Sequence, residues 1–117
     1  MMLRYMYHVA TLRQELEFVS FHLKKHLEHR RQSDRLESVV NSLVVPVDSK
    51  SLRRIGREIH AALGWGYSSV DQVYITRNNG QIDHAASDAY QEYVEDIARF
   101  ARLAKRPWSR LTVRLVP

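Results

Sequence analysis

The dipeptide Asn79-Gly80 is the strongest local constraint in this chain. A type I′ turn needs φ > 0 at both central positions, and Asn-Gly supplies them at little steric cost. The preceding stretch, Val70 to Arg77, alternates: Val73 and Ile75 share one face, Tyr74 and Thr76 the other. Period two with β-branched and aromatic residues predicts a strand. Gln81 to His84 supplies a short return strand, so a hairpin is expected here.

Elsewhere the periodicity is helical, with strands at both ends. Met2 to Val9 alternates, with Leu3, Tyr5, Tyr7 and Val9 on one face. The spacing of Tyr5, Val9, Leu12, Leu16, Val19, Leu23 and His26 would also suit one helix from the start. Thr11 with Gln14 reads as a capping box, which places the break there and predicts a first helix from Leu12 to about Arg31. Gln32-Ser33-Asp34 is polar punctuation before a second helix on Leu36, Val39, Val40, Leu43 and Val44. Pro46 closes it, and the run from Val44 to Val47 also suits a short strand.

Asp48-Ser49 opens a third helix with Leu52, Ile55, Ile59, Ala62 and Leu63 as its buried stripe and Gly64 as its stop. A fourth begins near Ser87, buries Tyr90, Val94, Ile97 and Phe100, and ends at Pro107. Arg110 to Val116 is the last strand, with Leu111, Val113 and Leu115 inward.

The order is β-α-(αα)-β-β-α-β. Without the middle pair of helices it is βαββαβ, the split-βαβ, ferredoxin-like order of an α+β fold. The expectation is an antiparallel sheet with the first and fourth helices on one face. One domain covers 1–117, with 34–64 as a helical insert. The length of 117 residues and 44% hydrophobic content suit a single core. Exposed sheet edges would favour a homodimer.

Composition excludes several chemistries. Cys is 0, so disulfides, thiolate metal sites and Cys nucleophiles are absent. Gly56, Gly64, Gly66 and Gly80 form no phosphate-binding loop motif. Met1 to Val9 carries no apolar signal core, and no run is long enough to span a membrane, so a cytoplasmic protein is expected. His22, His26 and His29 fall at i, i+4 and i+7, a spacing that suits Zn²⁺ or Ni²⁺. Lys24, Lys25, Arg30 and Arg31 crowd the same stretch and repel a cation, so a solvated face with no metal and no cofactor is expected. Asp71, Asp83 and His84 could be drawn as a metal-dependent hydrolase or nuclease site, but Asp83 serves equally as a helix N-cap.

Charge carries the functional expectation. Lys and Arg total 18 against 13 Asp and Glu, a formal net charge of +5. Such a balance on a small domain is the footprint of a nucleic-acid or acidic-partner binder. The cations cluster: Lys24, Lys25, Arg30 and Arg31 first, then Lys50, Arg53, Arg54 and Arg57, then a looser group of Arg99, Arg102, Lys105, Arg106 and Arg110. Arg53 and Arg57 are i, i+4 neighbours expected to point outward together. Trp65 and Tyr67 beside them suit base stacking, or a protein-interface hot spot. The expected function is non-enzymatic nucleic-acid binding of low specificity. The alternative is a protein–protein module, an adaptor, subunit or inhibitor docking an acidic or apolar surface.

Overall fold

The computed structural model describes residues 5–26, 29–44, 47–63, 73–106 and 113–117. They form β1 (Tyr5–His8), α1 (Val9–Leu23), α2 (Arg30–Ser42), α3 (Ser49–Leu63), α4 (His84–Ala104) and β2 (Val113–Val116). Each helix packs on the next, and α4 returns to α1, so the helices close a ring around one core. Leu16, Val19 and Leu23 of α1, Leu36 of α2, Ile55 and Ile59 of α3, and Tyr90, Ile97 and Phe100 of α4 are all buried in it. Each such side chain contributes about 1.5–3 kcal/mol by leaving water.

The ferredoxin-like antiparallel sheet is not what forms. Among the described residues the sheet has two strands, β1 and β2, paired in parallel with Tyr5 opposite Val113 and His8 opposite Val116. The 70–77 and 81–84 stretches are expected as paired strands; among their described residues, 73–77 and 81–84, there is one antiparallel bridge, Thr76 to Ile82. The reason lies in where the backbone of Ile75 finds partners. Its amide donates to Ser87 Oγ at 2.9 Å, and its carbonyl accepts from Asp83 N at 2.8 Å and from Ser87 Oγ at 3.3 Å. The Asp83 bond belongs to the hairpin's own ladder beside the Thr76–Ile82 bridge, but the Ile75 amide goes to Ser87 Oγ, because α4 has begun and the Asp83 carbonyl that would continue the ladder accepts from Ser87 N. Val73 and Ile75 are buried as their alternation predicts, but against helices.

The turn also differs in type. The Gly80 amide donates to Arg77 O at 2.9 Å and the Arg77 amide to Gln81 O at 2.7 Å. Gly80 has φ 85, whereas no non-glycine residue among those described has positive φ. This is a three-residue loop with a glycine bulge rather than type I′.

Helix boundaries shift for local reasons. β1 runs straight into α1: His8, at φ −83 and ψ 132, occupies the N-cap without a side-chain cap, and Thr11 lies inside the helix. The expected helix to Arg31 ends at Leu23, where His26 N turns back to Leu23 O at 2.9 Å. Gln32-Ser33-Asp34 lies inside α2, because Ser33 is needed in the core. Ser20 Oγ and Ser33 Oγ are 2.9 Å apart, and each also lies within bonding distance of the other residue's carbonyl oxygen, so two hydroxyl hydrogens serve three contacts. Such reciprocal bonding lets two polar groups sit buried between α1 and α2. The α3 start matches expectation, with Asp48 Oδ1 accepting from Ser51 N at 2.7 Å. Asp83 caps α4, its Oδ1 accepting from Ala86 N at 3.1 Å.

Candidate anion-binding groove

α3 and α4 run antiparallel and very close. A Cβ built on Gly56 would lie 2.7 Å from the Lys105 backbone nitrogen and 3.0 Å from Ala101 O. Farther along the same seam, Leu63 faces the Glu95–Ala98 turn of α4 across a cavity of about 470 Å³. The cavity exists because α4 presents Ala98 and Ala101 where larger side chains would fill it. Its polar wall is His60 of α3 with Glu95, Arg99 and Arg102 of α4. The α4 residues are spaced i, i+4 and i+7, which is one helical stripe.

The electrostatics are set by Lys105 and His60. Lys105 Nζ donates to His60 Nδ1 at 3.2 Å. That contact requires a lone pair on Nδ1, so the neutral ring carries its hydrogen on Nε2. Partial burial holds the His60 pKa below its ordinary value, and the Lys105 charge adds to the effect. Arg99 Nη1 lies 3.6 Å from Asp96 Oδ1, too long for a hydrogen bond, and its side chain is 54% exposed. Such a contact contributes little and leaves the guanidinium's other donors available. Arg57 and Arg106 are exposed beside the Gly56–Lys105 contact, one residue on in the chain from each partner.

The residues expected at the binding surface divide. Lys50, Arg54 and Arg57 are exposed on α3, while Arg53, expected to point out with Arg57, is half-buried. Arg53 lies nearer the packed side of the helix because it falls close to Gly56 and His60 on the wheel. Arg30 and Arg31 are exposed at the start of α2. Lys24 is ion-paired with Glu37, and Lys25 Nζ sits 4.7 Å from the Phe21 ring centroid. These four belong to the α1–α2 pair rather than to the α3–α4 seam. Trp65, Tyr67, Asp71 and Arg110 lie outside the described residues.

The three histidines do not form one stripe, since the helix breaks between His22 and His26. His29, expected to face solvent, is buried, with Nδ1 2.7 Å from Gln32 Oε1. His22 packs against Phe18 and Phe21, and burial followed by the Lys25 charge lowers its pKa.

One titratable pair is not evident from sequence pattern. Glu15 of α1 is buried and hydrogen-bonded to Asp96 of α4. Burial, the Asp96 carboxylate and Glu92 raise its pKa to about 7. The available signal is a carboxylate three residues after Leu12 and one before Leu16, on the apolar stripe.

No family model matches the chain, and no curated protein or solved structure is significantly similar to it. Among the described residues no helix is long and apolar enough to cross a membrane.

Proposed function

We propose that the protein is a cytoplasmic, non-enzymatic binder of nucleic acid, contacting phosphates along the basic band where α3 meets the C-terminal end of α4. The observation that supports this is convergence. Arg99 and Arg102 of α4 line the seam, Lys105 just beyond α4 reaches His60 of α3, and exposed Arg57 and Arg106 each follow one partner of the Gly56–Lys105 backbone approach. Arginine forks suit phosphate oxygens bidentately, and backbone contacts carry little sequence information. A protein partner ranks second because the large exposed apolar side chains are dispersed. Tyr5 and Met6 lie on β1, Phe21 on α1 beneath Lys25, Val44 after α2, and Tyr74 and Ile82 on the two sides of the turn.

The test is affinity for a short single-stranded oligonucleotide across a salt series, wild type against Arg57→Glu/Arg106→Glu. Both positions are exposed, so folding should be retained. The expected result is at least a tenfold weaker affinity at low salt. The log–log salt slope should be shallower by about 0.7 for each phosphate no longer neutralised. Unchanged affinity in the folded variant would remove the seam from the binding surface.

A further inference from the structure

We infer that the α3–α4 cavity is a binding site for an organic monophosphate of about nucleotide size. The inference does not require that the band bind a polymer. The cavity of about 470 Å³ falls in the about 300–1,000 Å³ range of small-molecule sites and is far larger than a bare phosphate needs.

Its chemistry has three parts. Arg99 and Arg102 are one turn apart on α4, and both line the cavity. Two forks can engage the three terminal oxygens of a phosphomonoester, whereas a planar carboxylate fills one fork and leaves the other unused. Leu63, Ala98 and Ala101 provide an apolar wall on which a ring can lie. Glu95, on the same α4 stripe, is an acceptor and a negative charge. It opposes a chain of several phosphates and favours a body bearing N–H or O–H donors, as an amino-substituted nucleoside does. The Lys105–His60 contact fixes which imidazole nitrogen carries the hydrogen and adds positive potential without filling the cavity.

The source of the nucleotide is either a free small molecule or one unit of a single strand. Calorimetric titration with adenosine 5′-monophosphate, adenosine, inorganic phosphate and a short single-stranded oligonucleotide separates them. Adenosine monophosphate should bind, with adenosine and inorganic phosphate each at least tenfold weaker. Arg102→Gln should weaken the monophosphate at least tenfold, and Ala98→Trp should fill the cavity and block it. Arg31→Gln, on α2, should leave it unchanged. Should Ala98→Trp fail to fold, Arg102→Gln decides alone, since Arg102 is exposed and its replacement does not touch the core.

Monophosphate binding without oligonucleotide binding upholds the cavity and sinks the polyanion reading. Oligonucleotide binding that disappears in Arg57→Glu/Arg106→Glu, with no monophosphate binding at millimolar concentration, does the reverse. Monophosphate binding that ignores both cavity variants also overturns the inference.

Discussion

Gly56 of α3 and Lys105 at the end of α4 approach so closely that an added Cβ would sit 2.7 Å from the lysine's backbone nitrogen. The obstruction is main chain, so it cannot swing aside as a side chain would. The seam that carries the cavity and the basic band depends on this approach.

Gly56→Ala sets two effects against each other. Alanine gains about 1 kcal/mol in helix propensity, whereas forcing a methyl into a packed interface costs about 1–3 kcal/mol. The net expectation is destabilisation of up to about 2 kcal/mol, together with weakened adenosine monophosphate binding as the helices part. Urea denaturation reads the first and calorimetry the second. A variant more stable than wild type would show that the seam yields freely.

Gly80→Ala tests the turn by a different route. Nothing lies within 4 Å of the Cβ position, but φ is +85. The cost is therefore backbone strain alone, about 1–2 kcal/mol. Gly80→Asn should recover part of it, since asparagine tolerates left-handed backbone better. Equal stability of all three proteins would contradict the turn described.

Ser20 and Ser33 form an interacting pair between α1 and α2, their hydroxyl oxygens 2.9 Å apart. Replacing either with alanine should cost about 0.5–1.5 kcal/mol. The double replacement should cost less than the sum, because either single change already removes the hydroxyl–hydroxyl contact while both backbone carbonyls stay in place. Strict additivity in a double-mutant cycle would mean that the two hydroxyls do not interact.

Glu15 gives stability a pH dependence of defined sign. Its folded pKa of about 7 lies above the ordinary glutamate value of 4.5. The protonated form is thus favoured by folding, and its contribution is full below about 4.5 and lost as pH rises through about 7. Glu15→Gln keeps a neutral amide beside Asp96 and cannot ionise. It should match wild type near pH 5 and exceed it near pH 8 by about 1–2 kcal/mol, less than the full shift implies because Asp96 is only half-buried. His22 and His60, with lowered values, act in the opposite sense in both proteins, so the difference between them isolates Glu15. An unchanged difference from pH 5 to 8 would show that Glu15 carries no shifted proton.

Local sequence determined what local physics controls. The stripe Leu52, Ile55, Ile59, Ala62 and Leu63 specified α3 and its inward face, and Asp48 and Asp83 acted as caps because a short carboxylate satisfies free helix amides wherever the chain goes next. Val73 and Ile75 were legible as buried, and Gly80 as a residue at positive φ. Tertiary structure decided what those faces met. Period two says that a segment is extended and half-buried, but not which donors satisfy its backbone. Ser87 took the amide of Ile75, the hairpin ended after one bridge, and the sheet among the described residues is two parallel strands. Ser33 looked like a loop residue until Ser20 gave it a buried partner. The cavity was illegible for the same reason. Ala98 and Ala101 carry no pattern of their own, and they become a wall because Gly56 brings α3 against the end of α4 and sets His60 and Arg102 on the same space.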